Sequence, residues 1–483
     1  MIPLMSPGHI IPMTDMARLL AQRGVIITIV TTTVNATRLR PIIGCAVESG
    51  LPIQLVQLQL PLHEVGLPEG CESIDSIPSR GLIRNFFVAV SKLKHPIEEL
   101  LDDMESSSNC ILADKNLPWT IDVAAKFNIP RLLFDGISCF NLLCCHSLHA
   151  SQVHMSASNS KPFLVPGLPE RIELTKAQLP SGLNHSIQDF KDHQAKIRAF
   201  EKEAYGIVIN SFEELESAYV KEYRKAKGDH KVWCIGPVSL ANKTDLEKAR
   251  RGSTSSIDKK KNKCLKWLDS WPENSVVYAC LGSISCLTSL QLIELGLGLE
   301  ACKRPFLWVI RENNGKDELE KWISEDGFEE RTKGRGLLIC RWAPQVLILS
   351  HLAIGGFFTH CGWNSMLEAV CAGVPMVTWP LSANQLFNEK LVVQVLKIGE
   401  RVRKEIAVPA REEGKFGVLV KREEVRATIE KIMTEGKERE DIRERTRKLA
   451  EMAKEATEKG GSSFLNITLL VEDIRKLGMG NQV

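Results

Sequence analysis

A chain of 483 residues with 62 basic and 59 acidic side chains, net charge +3, has room for two large α/β domains but no one-signed field of the kind that holds nucleic acid or a membrane surface. Its 44% hydrophobic and 25% charged residues are the composition of an ordinary globular protein and exclude disorder on a large scale. With no apolar run of about 18 residues and no basic-then-apolar leader, the chain is expected in the cytoplasm as a monomer acting on small molecules, its 14 cysteines reduced.

The predicted elements open with a strand, "MIPLM", then the loop "SPGHIIP", an amphipathic helix "MTDMARLLAQRG" and a β-branched strand, "VIITIVTTT". That first strand is short for a central parallel strand, which commonly takes about five or six residues. His9 falls in the loop that follows, at the expected rim of the sheet. Further strands are read at "NCILAD", which ends on Asp114, at "IPRLLFDGISCF", "AYGIVINSF" and "KVWCIGPV". Cys144, Cys145, His146, His149 and His154 cluster between them, but their spacing fits no standard zinc pattern, and a buried helix with polar edges is expected instead. A mainly parallel sheet with helices on both faces follows from this alternation.

Residues 240–263 are polar, charged and without apolar periodicity, and are read as a linker. Residues 1–239 then form one domain and 264–458 a second, with a closing helix over 459–483 that packs back across them. The second domain resumes with "NSVVYACLGSIS", "PFLWVIR" and "GLLICRWAPQ". Its most informative stretch is "THCGWNSMLEAVCAGVP", read as strand, turn, helix and strand, with Asn364 or Ser365 capping the helix and Gly373 ending it. Ser365 and Glu368 fit a capping box, in which both side chains satisfy the helix's own amides. The same turn is a natural seat for phosphate, because it sits at the positive end of a helix dipole at the carboxyl edge of a parallel sheet. No G-x-G-x-x-G follows the first strand, which argues against a dinucleotide-dependent dehydrogenase.

The whole run from Trp342 to Gln385, "WAPQVLILSHLAIGGFFTHCGWNSMLEAVCAGVPMVTWPLSANQ", resembles the signature box of plant family-1 UDP-sugar-dependent glycosyltransferases. "GHIIPMTDMARLLAQRG", "NIPRLLFDGISCF" and "CLGSISCLTSLQLIELGLGLE" are similar to that family too, nearest to members acting on triterpenoid, steroid or flavonoid acceptors. The resemblance implies an α/β fold of GT-B architecture, two Rossmann-like domains facing a cleft, with acceptor held mainly by the first and UDP-sugar mainly by the second. It implies that Trp342 stacks on uracil, that the Ala343 backbone meets the base edge, and that Gln345 and Glu368 hold the ribose. His360, Asn364, Ser365 and Ser283 match diphosphate contacts, with Gly362 and Trp363 in the same donor-binding run. Asn384 and Gln385 match the pair that grips the sugar. His9 matches the base that deprotonates the acceptor hydroxyl, and Asp114 the carboxylate that orients it.

The reaction so implied is an inverting transfer of a sugar, glucose by resemblance, to a hydroxyl or carboxyl of a hydrophobic plant metabolite. Neither cofactor nor metal is expected, since the chain holds no D-x-D triplet. Phe86, Phe87 and Phe140 are read as walls of an acceptor pocket or as ordinary core. Two departures stand out. The family's usual acidic residue before the final Gln is Asn384 here, and the first strand is shorter than in most members. Both leave open a second reading, a UDP-sugar-binding protein with little or no transferase activity.

Overall fold

The computed structural model describes residues 1–104, 108–158, 161–180, 183, 188–252, 257–282, 287–310, 316–340, 342–381, 384–402 and 419–480. The chain divides into two compact units: Met1–Cys139 with His185–Ser255 and Lys454–Val483, and Phe140–Asn184 with Ser256–Ala453. Among the described residues, no helix is long and apolar enough to cross a membrane.

The first unit holds β1 (Ile27–Thr32), β2 (Ile53–Leu58), β3 (Ile111–Asp114) and β4 (Arg131–Asp135). After β5 (Phe163–Leu164) and β6 (Glu173–Leu174), a small antiparallel pair in the second unit, come β7 (Gly206–Ile209) and β8 (Lys231–Cys234). β1 and β2 pair in parallel, as do β3, β4, β7 and β8 in that order. The expected first strand is reduced to a bridge. The Ile2 amide donates to Leu112 O at 2.9 Å, Asp114 N to Ile2 O at 2.9 Å and Val30 N to Met1 O at 3.0 Å. Two residues thus fill the place between β1 and β3, and one of their carbonyls fixes the backbone of Asp114.

The loop expected to carry His9 is in fact the first turn of helix Pro7–Ala21, with Ser6 at its N-cap and Pro7 at the first helical position, where a missing N–H costs nothing. The helix is not simply amphipathic, because Asp15 and Arg18 are buried. They are matched by the stretch expected as a linker. Asn242 Nδ2 donates to Asp15 Oδ1 at 2.9 Å, Arg251 Nε to Asp15 Oδ2 at 2.6 Å, and Arg18 Nη1 to Asn242 Oδ1 at 2.7 Å. That stretch contains helix Asp245–Arg250 and enters helix Ile257–Leu268, its polar residues being partners for buried charge.

The closing helix, Ser462–Gly480, belongs to the first unit. Ile467, Leu470, Val471 and Ile474 join its core, Lys231 Nζ meets Asp473 Oδ2 at 2.8 Å, and the Arg23 guanidinium stacks 4.1 Å from the Phe464 ring centroid.

The second unit carries a six-stranded parallel sheet built from β9 (Val276–Cys280), β10 (Phe306–Ile310), β11 (Gly336–Cys340), β12 (Ile354–Thr359), β13 (Met376–Thr378) and β14 (Gly399–Arg401). Their order, β11-β10-β9-β12-β13-β14, is that of a doubly wound Rossmann sheet. The direction of winding reverses between β9 and β12. In such sheets ligands sit at the carboxyl ends of the two strands flanking the reversal.

Candidate functional site

In the first unit, His9 and Asp114 are brought together although 105 residues separate them: His9 Nδ1 lies 2.6 Å from Asp114 Oδ2. Asp114 is the last residue of β3 and 1% exposed, while the His9 side chain keeps 28% of its surface. The other carboxylate oxygen, Oδ1, accepts from the Asn116 backbone at 2.9 Å and from Asn116 Nδ2 at 2.8 Å. With the carboxylate as acceptor, Nδ1 carries the proton and Nε2 is left as a lone-pair site. Burial alone would lower the proton affinity of His9, but the charge and hydrogen bond of Asp114 outweigh it and the pKa is raised. Burial likewise pushes Asp114 up, and His9 and Asn116 bring it below the usual carboxylate range. Beside this pair, Lys115 Nζ meets Asp135 Oδ2, at the end of β4, at 2.6 Å. Burial raises the Asp135 pKa against the opposing pull of Lys115.

Phe86 and Phe140 have no exposed surface, so both are core here rather than accessible walls. Phe87 is half-buried, its ring centroid 4.5 Å from that of His193.

In the second unit the residues of the signature run gather at the carboxyl edge where the winding reverses. Gly282, just past β9, has φ +79°, and a Cβ there would lie 2.3 Å from His360 Nε2; one on Gly362 would lie 2.5 Å from the same atom. The imidazole therefore passes between two glycines, and neither position tolerates a side chain without moving it. Ser283 lies outside the described residues.

Helix Trp363–Cys371 starts earlier than expected, with Gly362 as its N-cap and no side-chain cap. Asn364 and Ser365 thus lie inside the first turn, and the Ser365–Glu368 capping box does not form. Glu368, 5% exposed, instead accepts from Gln345 Nε2 at 2.7 Å, and the same nitrogen is 2.9 Å from Ser365 Oγ. Tyr278 OH, from β9, donates to Gln345 Oε1 at 3.3 Å. Gly373 ends the helix with φ +67°, as its position in the sequence suggested. Trp342 is half-buried and Ala343 buried just before helix Gln345–Leu349. Asn384 is the N-cap of helix Gln385–Lys390, and its carbonyl accepts from Asn141 Nδ2 at 3.2 Å. Gln385 Oε1 accepts from Leu381 N at 2.8 Å.

Sequence reasoning passed over Lys115, Asn116, Asp135, Tyr278 and Asn141. A signal existed for the first three, polar and charged residues at the ends of two apolar strands; Tyr278 and Asn141 sit within strand and helix patterns that give no hint of their partners. Among the described residues no group of three or more His, Cys, Asp or Glu could hold a metal ion. The thirteen described cysteines are free thiols.

Residues 1–240 match the family model "Glycosyltransferase, N-terminal domain" and residues 252–406 the model "UDP-glucoronosyl and UDP-glucosyl transferase". UDP-glycosyltransferase 73C3 of Arabidopsis thaliana is 50% identical over 479 residues, 99% of this chain and 96% of its own. UDP-glycosyltransferase 73C12 of Barbarea vulgaris is 49% identical over 483 residues, 100% of this chain and 97% of its own. Among solved structures, Glycyrrhiza uralensis UGT73P12, complexed with glycyrrhetinic acid 3-O-monoglucuronide, superposes with a TM-score of 0.90 at 36% identity, over 99% of this chain and 96% of its own.

Proposed function

Because this chain belongs to the plant UDP-glycosyltransferase family, we propose that it transfers glucose from UDP-glucose to a hydroxyl of a hydrophobic aglycone, with inversion and without a metal. The observation that carries this reading is the 2.6 Å contact between His9 Nδ1 and Asp114 Oδ2, with Asp114 anchored on its other oxygen by Asn116. An alcohol is a poor nucleophile near neutral pH, so transfer needs a base placed to take its proton. His9 Nε2 takes that proton. The freed oxygen forms a bond to the anomeric carbon as the bond from that carbon to the UDP oxygen breaks, from the opposite face. Asp114 holds the imidazole and stabilises the imidazolium.

UDP leaves carrying negative charge. First-turn amides of a helix lack intrahelical partners and lie at its positive end. Gly362 at the N-cap brings no side chain of its own to these amides, which supports the use of helix Trp363–Cys371 as the diphosphate seat, with His360, Asn364 and Ser365 as side-chain donors. Glu368 and Gln345, already hydrogen-bonded to each other, receive the ribose hydroxyls, and Trp342 receives the uracil face. Asn384 and Gln385 receive the sugar. Replacing the usual acid by Asn384 weakens that grip by about 1 kcal/mol, the scale separating charged from neutral hydrogen bonds.

Triterpenoids are the first acceptors to try, since a structure 36% identical to this chain is complexed with glycyrrhetinic acid 3-O-monoglucuronide; steroids and flavonoids follow. The experiment is product formation from UDP-glucose with such a panel, read by mass spectrometry, beside His9→Ala. The short N-terminal bridge favours a second reading, a UDP-sugar binder without turnover. It would show as UDP binding with no glycoside from any acceptor.

A further inference from the structure

We infer that the Lys115–Asp135 ion pair is a positioning element of the proposed base: two opposite charges fixed beside His9, which together leave its electrostatic field to Asp114. The inference rests on the reading of His9 as the base. Three observations place the pair. Lys115 directly follows Asp114 at the end of β3, and Asp135 ends the neighbouring β4, one residue past the register partner of Asp114, which is Phe134. The next residue, Gly136, lies so close to the His9 turn that a Cβ on it would be 3.9 Å from Gly8 O. Asp135 is 4% exposed, and while its Oδ2 meets Lys115 at 2.6 Å, its Oδ1 has no hydrogen-bond partner among the described residues.

A buried carboxylate satisfied on one oxygen only is a poor device for stability, because desolvation offsets much of what the ion pair returns and an apolar pair would serve as well. Its position suits another role. Lys115 opposes protonation of His9 and Asp135 favours it, so the two act on the imidazole with opposite sign while Asp114 acts in contact. Among the described residues, Asp114, Lys115 and Asp135 are the charged groups that act most strongly on His9. Further out, Arg131 acts on Asp114, Glu201 on Asp135, and the Asn116 backbone on His193. Removing either member of the pair exposes the imidazole to the other's charge.

The test is an NMR titration of the His9 imidazole in the full chain with 13C-labelled histidine, its resonance assigned by its loss in His9→Ala. In Asp135→Asn the positive charge of Lys115 loses its balance, and His9 titrates lower by about half a unit or more. In Lys115→Met the remaining carboxylate moves it upward, and the double variant returns it to the parent value. The acid limb of UDP-glucose turnover, which reports the base, follows the same three displacements. A general disturbance of the fold would not move the two single variants in opposite directions and then cancel. Single variants that titrate with the parent, or that both shift the same way, would overturn the inference. If Asp135→Asn does not fold, an unshifted Lys115→Met does so alone. Failure of the base reading shows separately, as glucose transfer retained by His9→Ala.

Discussion

The ion-pair part of the stabilisation between Asp114 and His9 is present only while both are charged, which gives it a pH window. The folded pKa of Asp114 is depressed, so its contribution is present above the ordinary value of 3.8 and lost as pH falls through the folded value. The folded pKa of His9 is raised, so its contribution is fully present below 6.5 and lost as pH rises through the folded value. His9→Ala should therefore lower the thermal midpoint most between those two ordinary values, and progressively less above neutrality; a midpoint difference that grows with pH would contradict the pairing. Asp114→Asn keeps the shape but removes the charge that supports the imidazolium, and turnover should fall by about 10²–10⁴-fold, the scale of general base catalysis. Asn384→Asp restores a charged acceptor at the proposed sugar contact. It should lower KM for UDP-glucose by about fivefold, equivalent to about 1 kcal/mol, and an unchanged or higher KM would remove Asn384 from the sugar site. At this scale residue types were legible from the residues themselves, whereas the pairing of His9 with Asp114 came only through the family resemblance. Nothing local to Glu368 points to Gln345, 23 positions upstream, as the donor that engages it.

Elements were legible where their boundary signals were unambiguous. Gly373 marked the end of its helix because a left-handed residue there needs glycine, and the apolar strands β9, β10 and β12 stood out as fully buried parallel strands do. The start of helix Trp363–Cys371 was misplaced because Ser365 and Glu368 fit a capping box, whereas the helix begins two residues before Ser365 and leaves both side chains for other partners. The opposite error befell the supposed linker. Thr244 and Glu247 form a real capping box, the Glu247 amide donating to Thr244 Oγ1 at 3.2 Å, but the charged run around it masked the signal. Gly282 allows a test at this scale. Gly282→Ala must hold φ +79° and pushes a methyl into His360, whereas Gly334→Ala holds φ +81° with nothing within 4 Å. Both should lose about 1–2 kcal/mol of stability to the backbone. Only Gly282→Ala should also weaken UDP binding, by about tenfold or more in calorimetry, the worth of one hydrogen bond to a charged group. Equal UDP affinity in the two variants would contradict a phosphate role for His360.

At the scale of the molecule, chain order and unit membership differ. Residues 140–184 go with the second unit, where Asn141 meets Asn384, and residues 454–483 go with the first. The chain closes with two helices, Lys437–Thr457 and Ser462–Gly480, with Gly460 and Gly461 between them, and apolar periodicity carries no information about which core receives the second. Ile467, Leu470, Val471 and Ile474 answer that by their burial in the first unit's core. At about 1.5–3 kcal/mol for each buried side chain, removing this helix forfeits a sum comparable with the whole net stability of a domain, about 5–15 kcal/mol. A chain ending before Ser462 should therefore be insoluble or lack a cooperative thermal transition, and a truncated protein melting with the parent would contradict that packing. The measurement that bears most directly on the account is glycoside formation from UDP-glucose and hydrophobic aglycones, with UDP affinity determined in parallel for the parent and His9→Ala. The expected result is a glucoside from the parent, none from His9→Ala, and equal UDP affinity in both. A glucoside from His9→Ala at the parent's rate, or UDP binding with no product from either protein, would contradict it.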